Sequence, residues 1–175
     1  HIAFARYSNV WTLYQNGVVQ ASTTTLSTVS LDNGGAARPV YIGWSGYSTS
    51  LTSEFFNGYL DEIRITNGIA LYTANFTPST VPFTQSTIST IPLSLPGTTG
   101  SYMNLGANSP IHFDTRSSTL FMEAWIYSIK ATGNNQQIIA ITDSAGTDWN
   151  CFIGTDNLVH FGYWAPTYTE AKTGT

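Results

Sequence analysis

The chain has 175 residues, enough for one medium domain, and only 9% of them are charged, against a usual ~25%. Six Lys and Arg in a net charge of −4 leave no cationic face for nucleic-acid phosphates or anionic lipid. A single cysteine, Cys151, excludes an intrachain disulfide and any paired-cysteine metal site, and no apolar run is long enough to span a bilayer. Ser and Thr take the place of the missing charges, and 14% of residues are aromatic. This composition predicts an all-β protein with an uncharged polar surface. His1-Ile2-Ala3-Phe4 opens in the middle of a strand-like pattern, as expected of an internal segment of a longer chain.

Helical periodicity is nearly absent, and short alternating runs are separated by Gly, Asn, Asp, Ser and Pro. Residues 1–7 read as a strand. Residues 10–15 and 18–23 flank Asn16-Gly17, two residues that tolerate the positive φ of a type I′ turn. A two-residue loop there pairs Gln15 with Val18 and Tyr14 with Val19. Residues 25–31 and 39–44 are further strands, with a turn at Asp32-Asn33-Gly34-Gly35 and a polar loop over 45–53. Over 54–65 the apolar parity changes: Phe56, Gly58 and Leu60 share one phase, Ile63 and Ile65 the other. A flat strand would put these sets on opposite faces, whereas a bulge near Asp61-Glu62 brings both to the core. Residues 68–76 are expected to form a short helical or 3₁₀ segment that packs Leu71, Tyr72 and Phe76 on the sheet.

Residues 79–100 carry no charge and are rich in Pro, Ser and Thr, which reads as an extended linker outside the core. Strands resume at 101–105 and 111–113. Residues 119–129 form the longest apolar strand, expected at a sheet centre with both faces buried. Residues 136–142 follow, then a hairpin with arms 149–153 and 158–164 about Thr155-Asp156-Asn157.

Two stretches carry a family resemblance. Phe56-Asn57-Gly58-Tyr59-Leu60-Asp61-Glu62-Ile63-Arg64-Ile65, followed by Leu71-Tyr72-Thr73-Ala74-Asn75-Phe76-Thr77-Pro78, resembles the C-terminal end of a concanavalin A-like, laminin G-like jelly-roll domain. The "YTANFTP" ending is similar to the version repeated in bacteriophage tail fibres and other virion proteins. His1-Ile2-Ala3-Phe4-Ala5-Arg6 and Leu13-Tyr14-Gln15-Asn16-Gly17 resemble an earlier hairpin of that domain. Residues 1–78 therefore resemble its second half. Residues 101–175 resemble its first half, through Tyr102-Met103-Asn104-Leu105 and Phe121-Met122-Glu123-Ala124-Trp125-Ile126-Tyr127. The resemblance implies an antiparallel β-sandwich, split or circularly permuted. The halves either complete one domain or belong to consecutive repeats.

The wider fold class includes retaining glucanases, which need an acid and a nucleophile ~5–5.5 Å apart on one face. Asp61-Glu62 are adjacent and so do not share a strand face. They read as structural, with Asp61 holding backbone N–H groups at the bulge and Glu62 pairing with Arg64 or Arg6. Cys151 lies in an apolar strand as an inert thiol. His160, between Val159 and Phe161, reads as a satisfied sheet residue. Asp143, Asp148 and Asn150 supply oxygens for a candidate Ca²⁺ site of the kind the resemblance implies at a sandwich rim, although the spacing is that of an ordinary solvated turn. Trp44, Tyr47, Trp149 and Trp164 flank predicted loops and are the candidate sugar-stacking residues, weighed against plain packing. The resulting expectation is a non-enzymatic virion protein, a tail fibre or capsid decoration. It would assemble with copies of itself or other virion proteins and bind host-surface glycans weakly. The alternative is a carbohydrate-binding module of a secreted or cell-surface bacterial protein.

Overall fold

The computed structural model describes residues 1–24, 39–45, 54–82, 93–98, 101–105, 119–129, 133–141, 149–164 and 168–174. In chain order the strands are β1 (Ile2–Tyr7), β2 (Val10–Gln15), β3 (Val18–Thr23), β4 (Val40–Ile42), β5 (Asn57–Asn67), β6 (Leu93–Pro96), β7 (Met103–Asn104), β8 (Leu120–Ser128), β9 (Gln136–Ile141), β10 (Trp149–Ile153), β11 (Val159–Trp164) and β12 (Tyr168–Lys172). They form two six-stranded antiparallel sheets: β3-β2-β1-β8-β5-β6, and β12-β11-β10-β9-β4-β7. No helix occurs among the described residues. The predicted strands over 25–31 and 111–113, and the turn at 32–35, lie outside them.

The hairpin β2–β3 turns at Asn16 (φ 52°) and Gly17 (φ 77°), the positive-φ pair a type I′ turn needs. Its register pairs Gln15 with Val18 and Tyr14 with Val19, as the two-residue loop requires. In β5 the pairing with β8 steps from Asp61↔Trp125 to Arg64↔Glu123, a bulge in which Glu62 takes φ 50°. Asp61 Oδ1 accepts a hydrogen bond from the Glu62 N–H at 2.9 Å. The extra residue restores the phase, so Leu60 is buried in the core and Ile63 and Ile65 pack against the same core.

Strands from both parts of the chain share each sheet. β8 lies between β1 and β5, pairing Ile2 with Ala124 and Ile65 with Met122. β4 pairs with β9 in the second sheet. Between the sheets, Phe4 stacks on Phe161 at 4.3 Å, Trp11 stacks on Phe161 at 4.8 Å, and Trp149 meets Phe4 edge-on at 5.5 Å.

Three expectations need correction. Residues 68–76 form no helix; they run as an irregular strap across the outer face of the first sheet. Tyr72 and Phe76 pack there on Ala3, Ala5, Tyr14 and Phe121, while Leu71 is exposed. The stretch is too short and too poorly capped to nucleate a helix, and the sheet already offers it an apolar surface. The span read as linker contributes β6, whose Leu95 sits in the core. Leu93-Ser94-Leu95 is a period-2 pattern, and the proline that follows is tolerated because β6 is an edge strand. Lastly, β8 is covered on both faces only in its first half: Phe121 to Ala124 are buried, whereas Tyr127 is 67% exposed.

Candidate functional site

The outer face of the second sheet gathers polar and aromatic side chains. In β4, Val40 and Ile42 point into the core, so Tyr41 between them points out. Tyr41 meets Trp44 at 5.2 Å and Tyr102 at 5.8 Å, and Trp44 stacks on Phe55. Burial pushes the Tyr41 hydroxyl above its ordinary range, and Tyr102 adds to the shift. In β10, Trp149 and Cys151 are core residues, which places Asn150 and Phe152 on the outer face. In β9 the pairing skips Ile138, a bulge that turns Ile138 and Ile139 inward and Gln137 outward.

Three buried polar atoms on this face, Trp44 Nε1, Gln137 Oε1 and Asn150 Oδ1, have no hydrogen-bond partner among the described residues. Buried polar groups are nearly always satisfied, and leaving one orphaned costs ~1–3 kcal/mol. The floor between them is low, since Asn150 pairs with Ala140 on one side and Gly162 on the other.

At the β11–β12 end of this face the His160 imidazole lies between two carboxylates. Nε2 faces Asp156 Oδ1 at 2.8 Å and Nδ1 faces Glu170 Oε2 at 2.9 Å. Phe152 stacks on the ring at 4.8 Å. Lys172 Nζ reaches Asp156 Oδ2 at 3.4 Å. The His160 hydrogen bond is the main reason the Asp156 carboxyl falls to about 2.

The sequence-predicted residues separate here. Trp44 and Asn150 come to one face. Trp44, however, is only 6% exposed and presents no free ring for stacking. Trp149 is a correction: at 2% exposure its ring fills the core against Phe4 and Phe161, because its strand phase points inward. Tyr47, Asp143 and Asp148 lie outside the described residues, as does the Trp164 side chain. Among the described residues no group of three or more His, Cys, Asp or Glu side chains is placed to hold a metal ion. Burial pushes the Cys151 thiol far up, which keeps it protonated and unreactive.

The Glu123 carboxylate of the first sheet is committed. Arg64 bonds to Glu123, whose side chain is 1% exposed, and His1 Nε2 lies 3.1 Å from the other Glu123 oxygen. Sequence reasoning missed Gln137, Tyr41 and Tyr102. Tyr41 was legible from its place between two inward residues. Gln137 was hidden by the β9 bulge, which breaks the alternation that would have shown it.

Residues 1–73 match a laminin G family model described as the concanavalin A-like lectin/glucanases superfamily. The two six-stranded antiparallel sheets form an all-β sandwich, consistent with the concanavalin A-like type. No curated protein and no solved structure matches the chain.

Proposed function

We propose that this chain is a non-enzymatic, glycan-binding adhesion module of a virion protein, a bacteriophage tail fibre or capsid decoration. The observation that carries the glycan reading is the set of three orphaned polar atoms, Trp44 Nε1, Gln137 Oε1 and Asn150 Oδ1, on one outer sheet face. One donor and two acceptors beside aromatic rings suit the hydroxyl groups and apolar ring faces of a sugar. Tyr102, 36% exposed, is the ring of this group that a sugar can reach. The virion setting is supported by the "YTANFTP" ending and the uncharged, Ser/Thr-rich composition.

The non-enzymatic reading follows from how the carboxylates are used. Asp61 Oδ1 accepts from the Glu62 N–H, and Glu123 is held by Arg64 and His1. Glu123 is therefore not free to serve as acid or nucleophile, and Asp61 is paired across the sheet with Trp125 rather than with a second carboxylate. Calcium belongs to the same proposal. Asn150 Oδ1, an unpartnered oxygen, fits a hard cation, and Asp143 and Asp148 would complete the oxygen set. A bound cation there would supply electrostatic attraction for hydroxyl oxygens. In a virion the chain would pair with copies of itself or with other virion proteins, and multivalency would multiply weak sugar contacts.

The test is binding to bacterial surface polysaccharides with and without calcium, alongside an assay for new reducing ends. Binding without cleavage is expected, weakened at least tenfold in Asn150→Ala and in Gln137→Leu, with both variants folded. Cleavage of any polysaccharide, or binding untouched by both variants, refutes the reading. Sedimentation of the chain separates a symmetric fibre from the alternative, a monomeric carbohydrate-binding module of a secreted bacterial protein.

A further inference from the structure

We infer that the opposite side of the sandwich, the outer face of the first sheet, carries a second and independent platform for a neutral saccharide. Tyr59 on β5 and Tyr127 on β8 are direct cross-strand partners. They are 45% and 67% exposed, with ring centroids 6.1 Å apart and planes tilted by 47°. The folded chain gains little from two large rings left in water. The strap, which covers Phe121 further along β8, leaves this end of the sheet open.

What surrounds the rings selects the occupant. On β5, Asn57 and Asp61 stand two residues to either side of Tyr59 and share its face by strand parity. Ser94 of β6 is paired with Tyr59 and is exposed. Trp125, paired with Asp61, closes the far side, its indole N–H donated to the Ser79 carbonyl at 3.2 Å. Aromatic rings thus alternate with an amide, a carboxylate and a hydroxyl. That is the chemistry of a sugar site, in which the apolar face of a pyranose stacks and its hydroxyls find polar partners. Arg64, further along β5, is bonded to Glu123. Among the described residues no free cation stands beside this carboxylate, which disfavours acidic glycans, so the ligand class is a neutral hexose or N-acetylhexosamine chain.

The inference rests on the proposed glycan-binding function only for the class of ligand; the two sites share no residue. The experiment is calorimetric titration of the full chain with cellohexaose, maltohexaose and chitohexaose, with polygalacturonate as the acidic control. Tyr59→Ala and Tyr127→Ala should each weaken binding of a neutral hexaose at least tenfold while leaving the thermal midpoint nearly unchanged, since both side chains are exposed. Val18→Ser, at an exposed position on β3 outside both sites, should leave that binding event intact. Backbone amide shifts at 57–61 and 125–128 on adding the hexaose provide a second readout. Unchanged affinity in both tyrosine variants overturns the inference, and if Asn150→Ala then abolishes binding, the second-sheet site stands alone. Failure of every hexaose to bind the wild-type chain at millimolar concentration also overturns it. Loss of self-association in the tyrosine variants with saccharide affinity unchanged overturns it in favour of a second copy of this chain.

Discussion

Gly17 joins two parts of the fold through one missing carbon. Its φ of 77° is the second half of the hairpin turn, and its carbonyl accepts the Phe76 N–H at 2.8 Å. A Cβ added there would lie 1.9 Å from the Phe76 carbonyl oxygen. Gly17→Ala therefore meets both a left-handed backbone and backbone atoms that have little room to retreat. It should cost about 2–5 kcal/mol, read as a lowered midpoint in denaturant titration with an unchanged slope. Asp156 tests the electrostatics of the β11–β12 end. Its carboxyl titrates near 2 in the folded chain, below the ordinary 3.8, chiefly because of the His160 hydrogen bond. A carboxyl depressed on folding contributes stability that is present above its unfolded value and lost as pH falls through the folded one. Stability of the wild type should thus fall between about pH 4 and about pH 2 through this group, and Asp156→Asn should remove that part of the slope. Thermal midpoints across an acid series check it, and parallel curves for the two proteins would contradict it.

The strap works at the scale of elements. The Asn75 side chain accepts the Val19 N–H at 2.9 Å, a donor on the outer edge strand β3. An unpaired edge N–H invites another strand, and capping it with a side chain closes part of that edge. Next to it, Tyr72 and Phe76 stack at 3.8 Å and cover Ala3, Ala5 and Phe121. Phe76→Ala should destabilise by about 2 kcal/mol, roughly half the loss of a fully buried ring. Amide exchange should rise first over β1 and β3, and protection there equal to wild type would show the strap to be dispensable. These contacts also show what the sequence could and could not reveal. The Asn16-Gly17 turn and the Asp61-Glu62 bulge were legible because each has a local chemical signature, a positive-φ pair and a parity change. The strap's path was not, since it depends on an apolar outer face assembled from β1, β2 and β8. β6 was missed because four residues with a proline look like linker until an edge strand is there to receive them. The same limit applies to the site. Trp149 and Trp44 could be picked as aromatic residues near loops, but exposure is decided by strand phase and packing. Among the described residues the open rings are tyrosines instead, Tyr7, Tyr59, Tyr102 and Tyr127.

At the scale of the whole molecule the decisive feature is the place of β8. Its pairings run from Ile2↔Ala124 to Arg6↔Leu120 on one edge and from Gly58↔Ser128 to Asn67↔Leu120 on the other. Remove the part of the chain that carries β8 and β9, and β1–β3 no longer connect to β5, while β4 loses β9. Ile2, Phe4, Trp11 and Leu13, each at most 2% exposed, would then face water. At ~25 cal/mol per Å² of apolar surface, that loss exceeds the stability typical of a small domain, which is only ~5–15 kcal/mol. Residues 1–82 alone should therefore show neither near-ultraviolet circular dichroism nor a cooperative thermal transition, and the same holds for residues 83–175. Mixed together, the two pieces should recover both signals. In the intact chain, tryptophan fluorescence and far-ultraviolet dichroism should report one coincident transition, because Trp11 and Trp149 from the two parts both pack against Phe161. A cooperative transition in residues 1–82 alone would mean that the first part closes its own core, and that its pairing with β8 is an addition rather than a requirement.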